Sequence, residues 1–234
     1  MNIFESIKKN IPNAITCMIL LCGSVACIMA LRYKEEVWWG IKAYEAAFIM
    51  IALAAVFDFF DGFVARLLHV VSAIGKELDS LCDCVSFGLA PGLLVYAAMN
   101  HSHPESMLCY AALLIPVLGA VRLANFNVDT RQTTSFIGMP IPANAIFWIG
   151  FISWYADNLY LNQWIVALLV VVISLLMVSN IPMFSLKVKN LKFKENYKVY
   201  FLILAFILFV STSHLSGLSW TIIYYVLASM LVKD

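Results

Sequence analysis

The stretch Ala46-Ala47-Phe48-Ile49-Met50-Ile51-Ala52-Leu53-Ala54-Ala55-Val56-Phe57-Asp58-Phe59-Phe60-Asp61-Gly62-Phe63-Val64-Ala65-Arg66 is long and apolar, yet it closes on two aspartates and an arginine. After a short turn, Gly75-Lys76-Glu77-Leu78-Asp79-Ser80-Leu81-Cys82-Asp83 opens another apolar run with two more aspartates. A bilayer core takes about 20 apolar residues as helix. A carboxylate inside it costs roughly 2.5–3.5 kcal/mol on insertion scales. Four acids in one membrane hairpin are therefore expected to line a polar cavity or hold a cation.

Helix geometry lets them converge. At about 100° per residue, Asp58, Asp61, Gly62, Ala65 and Arg66 share an arc of about 140°, and Gly75, Asp79, Asp83, Ser86 and Ala90 share about 80°. Small residues beside the acids leave room for a ligand. Carboxylates without His or Cys partners suit a hard cation such as Mg²⁺, Mn²⁺ or Ca²⁺. A hard dication beside Arg66 suits a phosphate or diphosphate. An ion-pair network around Arg66 alone would leave most of the acids unpaired. A cation transporter would spread its acids along several helices, and the later apolar runs contain none.

The remaining sequence fits the same setting. Of 234 residues, 63% are hydrophobic and 12% charged, against about 45–50% and about 25% in soluble domains. Eight candidate spans follow: 14–31, 46–67, 77–99, 107–126, 139–156, 162–181, 198–213 and 217–232, the last two short. This predicts an all-α, polytopic membrane helical bundle in a single domain over 1–234. The lysines before the first run imitate a signal peptide, but the run is longer than a typical h-region and reads as a retained span. Met1–Pro12 carries Ile3, Phe4, Ile7 and Ile11 at helical spacing, which predicts an amphipathic segment on the membrane surface.

With the N-terminus inside, the inner side holds Lys8, Lys9, Arg66, Lys76, Arg122, Arg131, Lys187, Lys189, Lys192, Lys194, Lys198 and Lys233. Only Arg32, Lys34 and Lys42 of the 15 basic residues lie outside. That bias predicts cytoplasmic termini and a cytoplasmic acidic cluster. A net charge of +1 gives no sign of a nucleic-acid partner. The six cysteines show no C-x-x-C pair and read as free thiols. His101 and His103 in a short outer loop make a weak metal motif, and His69 and His214 stand alone. Trp38-Trp39 and Tyr224-Tyr225 fit interfacial aromatic belts.

The pattern D-x2-D-G-x2-A-R-x8-G-x3-D-x3-D, here Asp58, Asp61, Gly62, Ala65, Arg66, Gly75, Asp79 and Asp83, resembles the signature of the CDP-alcohol phosphatidyltransferases. The resemblance implies a six-helix membrane core, usually a homodimer, with its active site open to the cytoplasm of the inner membrane. It also implies a divalent cation, with Asp58, Asp61, Asp79 and Asp83 as metal ligands and Asp83 as the alternative catalytic base. Asp61, Gly62, Ala65, Arg66 and Gly75 would bind CDP-diacylglycerol.

Further segments, from Ile11-Pro12-Asn13-Ala14-Ile15-Thr16 through Cys84–Pro91, Val121–Asn127 and Phe136–Ala143 to Ser185-Leu186-Lys187, are similar to membrane-spanning phosphatidylserine synthases. That likeness covers a core of about 11–194, leaving 198–232 as additional spans. It implies serine as acceptor, with Ser86, Arg122, Asn127 and Arg131 as candidate contacts. Glycerol-3-phosphate or an inositol phosphate would keep the chemistry and change the acceptor. One departure is Asn125, where the family pattern leads one to expect arginine.

Overall fold

A computed structural model describes residues 3–68, 70, 73–129, 136–158, 161–185 and 193–231. Among the described residues the chain is an all-α membrane bundle with two very short strand pairs. Helix α1 (Ile3–Arg32) leads through a hairpin, β1 (Glu36–Val37) and β2 (Ile41–Lys42), into α2 (Ala43–Leu67). Then come α3 (Ala73–Asp83), a π-helical turn (Cys84–Leu89) and α4 (Ala90–Ser102). A 3₁₀ segment (Met107–Leu113) opens α5 (Leu114–Val128). Strand β3 (Phe136–Ile137), α6 (Ile141–Tyr155), α7 (Gln163–Val178), β4 (Pro182–Met183), α8 (Phe193–Ser213) and α9 (Gly217–Leu231) complete the order.

Among the described residues, five helical stretches are long and apolar enough to cross a membrane: Ile11–Arg32, Ala43–Leu67, Ile74–Ser102, Met107–Val128 and Asn196–Leu231. The last is not one straight rod. His214 has φ 53°, and α8 and α9 pack against each other. Gly217 sits so close to Phe209 that an added Cβ would overlap its carbonyl. Helix α7 is apolar but shorter. The eight expected runs each find a helix, and six of them fall within these long apolar stretches.

Helix α1 runs unbroken from Ile3 through Pro12, so the N-terminal segment continues directly into the first apolar stretch, Ile11–Arg32. One expectation is corrected. Tyr225 does not belong to an exposed belt, since it is 3% exposed and its hydroxyl donates to the Phe184 carbonyl at 3.0 Å. Trp39, by contrast, stands fully exposed at the tip of the β1–β2 hairpin. All six cysteines are free thiols, though Cys17 faces outward.

Helix α6 forms the centre of the bundle and carries the fully buried Trp148 and Tyr155. It also carries a buried Asn144, whose side-chain NH₂ donates to the Phe87 carbonyl at 2.9 Å. The Asn144 side-chain oxygen in turn accepts from the Trp148 indole at 2.9 Å. A buried amide on an apolar helix is tolerable because both partners need it. Asn144→Leu is expected to leave the Phe87 carbonyl and the indole unpaired, at a cost of about 1–3 kcal/mol each. A lowered melting temperature in detergent checks this.

Candidate active site

Helix α1 packs against both α2 and α3 and so bridges the two helices that carry the acids. One carboxylate oxygen from each of Asp58, Asp61 and Asp79 lies within 4.8 Å of the other two. Asp61 is buried, and the other two are half-buried. These are hard oxygen donors at a separation that suits one dication with ligand distances of roughly 2.0–2.6 Å. One oxygen of Asp79 and one of Asp83 are buried without a hydrogen-bond partner. Unpartnered carboxylate oxygens beside such a trio fit a cation site, because burying them bare is costly. Asp83 lies outside the trio, one turn further along α3, within electrostatic reach of the three acids and of Arg122.

Beside the trio opens a cavity of about 260 Å³, lined by Pro12, Asn13, Thr16, Asp61, Gly62, Ala65, Val70, Gly75, Lys76 and Asp79. The small residues Gly62, Ala65 and Gly75 thus form part of its wall. Arg66 is exposed and does not line it, but its guanidinium lies over Gly62, where an added Cβ would sit 3.6 Å from Nη1.

Sequence reasoning missed the contribution of α1. The Thr16 hydroxyl donates to Asp61 at 2.8 Å and lies 3.0 Å from the Pro12 carbonyl. This contact spans two helices distant in sequence, and only the quoted segment Ile11–Thr16 hinted at it. A hydroxyl that fixes a metal-ligating carboxylate tunes the site from behind. Thr16→Val is expected to weaken Mn²⁺ affinity about tenfold or more, read by equilibrium binding, while Thr16→Ser retains it.

A separate cavity of about 400 Å³ is lined by Arg122, Asn125, Val128, Asp129, Ile137, Met177, Val178, Ser179 and Asn180. Arg122 is 7% exposed, and its guanidinium stacks over Phe126 at 5.1 Å. Asn125, the departure from the family pattern, faces this cavity. Asp129, Ser179 and Asn180 were not foreseen.

The other candidates have different surroundings. Ser86 is fully buried and donates to the Ile19 carbonyl at 2.9 Å, where Gly23 leaves it room. The Asn127 side-chain NH₂ donates to the Ser80 hydroxyl at 2.8 Å, and the Asn127 backbone carbonyl accepts from Lys76 at 2.9 Å, tying α5 to α3. Neither residue lines either cavity. Arg131, His69, Lys187, Lys189, Lys192 and Lys233 lie outside the described residues.

Comparison with known proteins adds a family match and several relatives. The family model described as CDP-alcohol phosphatidyltransferase matches residues 9–179. A Helicobacter pylori protein named "CDP-diacylglycerol--serine O-phosphatidyltransferase" is 31% identical over 219 residues, covering 89% of this chain and 84% of its own length. A Mycobacterium leprae protein of the same name is 34% identical over 183 residues and covers 74% of this chain. A Methanocaldococcus jannaschii protein, again of that name, is 41% identical over 135 residues and covers 58% of it. The match spans 57% of the M. leprae relative and 62% of the M. jannaschii one.

Proposed function

The chain belongs to the CDP-alcohol phosphatidyltransferase family, and from that membership we propose that it transfers the phosphatidyl group of CDP-diacylglycerol to the hydroxyl of L-serine. The products are phosphatidylserine and CMP. The donor cavity is the one beside the acid trio, where Gly62, Ala65 and Gly75 leave space for the nucleotide diphosphate. Asp58, Asp61 and Asp79 would hold a divalent cation, Mg²⁺ or Mn²⁺, with Thr16 holding Asp61. When bound, the cation neutralises the diphosphate and makes CMP a better leaving group.

The observation that carries serine is the lining of the second cavity. Serine is a zwitterion, and Arg122 and Asp129 line this cavity together. Arg122 suits its carboxylate, and Asp129 its ammonium. A phosphorylated acceptor would meet that acidic side chain and a single basic one among the lining residues.

The reaction is an in-line displacement. The serine oxygen attacks the phosphorus that bears diacylglycerol, and the bond to the bridging oxygen breaks. Asp83 lies within electrostatic reach of both the trio and Arg122, and it takes the hydroxyl proton. Holding both substrates in line supplies much of the rate. The excess of basic residues on one side supports a cytoplasmic site in a cell membrane.

The test uses detergent-solubilised protein with CDP-diacylglycerol, Mn²⁺ and either serine or glycerol-3-phosphate, and follows CMP release. Release with serine is expected. Arg122→Ala is expected to raise the KM for serine about tenfold or more and to spare that for CDP-diacylglycerol. Release with glycerol-3-phosphate alone would overturn the serine assignment and leave the family chemistry intact.

A further inference from the structure

The C-terminal helix pair lies beyond the family-matched segment, and by sequence it adds only hydrophobicity. In the fold, α9 packs on α6 and on β4. Strand β4 pairs with β3, placing Ile137 opposite Pro182, and Ile137 lines the second cavity. Gly138, at φ 76°, packs this ribbon against the end of α7, where an added Cβ would overlap the Met177 carbonyl and the Met139 N–H donates to the Leu176 carbonyl at 3.0 Å; the Gly138 N–H donates to the Ile181 carbonyl just ahead of β4 at 2.9 Å. The ribbon is therefore part of the cavity's structure.

Tyr225 joins α9 to it. Its ring meets Phe184 edge-on at 4.8 Å, and its hydroxyl donates to the Phe184 carbonyl at 3.0 Å. Phe184 directly follows β4 and is itself buried. Tyr225 also lies within electrostatic reach of Arg122. One buried side chain thus holds the residue that directly follows the ribbon and lies within electrostatic reach of the cavity's Arg122.

We propose that Tyr225 is a positioning residue for the acceptor, through which the C-terminal helix pair sets the register of the β3–β4 ribbon and Arg122 and so the affinity for the amino-acid substrate. This rests on the second cavity being the acceptor site. Tyr225→Phe keeps the ring contact and removes only the hydroxyl, leaving the Phe184 carbonyl unpaired. A hydrogen bond of this kind is worth a factor of about 2 to 10.

The experiment compares wild type with Tyr225→Phe and Tyr225→Leu in detergent. It measures the KM for serine, the KM for CDP-diacylglycerol and the melting temperature. Tyr225→Phe is expected to raise the KM for serine about threefold to tenfold and to leave the KM for CDP-diacylglycerol unchanged, while the unpaired carbonyl lowers the melting temperature slightly. Tyr225→Leu is expected to raise it further, and if that variant fails to fold, Tyr225→Phe decides alone. An unchanged serine KM overturns the proposal, and so does a parallel rise in both KM values with a lower melting temperature. If the wild type uses glycerol-3-phosphate and ignores serine, the serine reading falls separately, and the KM for that acceptor decides the role of Tyr225 by the same criterion.

Discussion

Asp83→Asn is expected to cut serine-dependent CMP release by about 10²- to 10⁴-fold, the span that a positioned general base contributes. The substitution is isosteric, so the packing of α3 is retained. What disappears is the ability to accept a proton. The site supports this role in three ways. Asp83 stands outside the trio of closely spaced carboxylates, one of its oxygens is buried without a partner, and Arg122 of the second cavity lies within its electrostatic reach. The loss should fall on kcat, with the KM for CDP-diacylglycerol within about twofold of wild type, as for a group that acts only in the transition state. A KM effect of the same size as the kcat effect would move Asp83 into the donor-binding site instead.

Chelation is expected to be as severe. With EDTA the protein should lose more than about a hundredfold of its activity, since electrostatic stabilisation of a transferring phosphoryl group is a large term. Mn²⁺ or Mg²⁺ should restore it in the wild type. Asp79→Ala removes one of three convergent ligands and is expected to respond only at far higher metal concentration, with Asp58→Ala and Asp61→Ala alike. Metal titration of CMP release in each variant checks this. Full activity of Asp79→Ala at the wild-type metal concentration would remove the trio from the mechanism.

The acids were legible in the sequence because charge in an apolar run is expensive, so four of them announce a site wherever they occur. Their convergence followed from helical spacing alone, and three of them do converge. Apolar runs of span length likewise predicted helices in the right places. What stayed hidden depends on contacts between distant segments. Thr16 reaches Asp61 from another helix, and no local pattern encodes that. Ser86 shares a helical face with the acids by uniform spacing, yet it lies inside the π-helical turn, where that spacing no longer holds, and its hydroxyl donates to the Ile19 carbonyl. Tyr225 beside Tyr224 looked like an interfacial pair, because composition cannot tell which of two neighbours turns inward. Asn144 and Trp148 show the converse: nothing local marks α6 as the helix that the others surround.

The π-helical turn at Cys84–Leu89 makes one long rod behave as two shafts with separate azimuths. An extra residue in a helix swings everything beyond it by about 100°. Ahead of the turn, the orientation is dictated by where Asp79 and Asp83 must aim. Behind it, Ala90, Leu94 and Ala98 are oriented by packing in the interior. Asn144 locks the joint by grasping the Phe87 carbonyl. The reactive end and the anchoring end of this rod can therefore be altered independently, as they could not be in an unbroken α-helix.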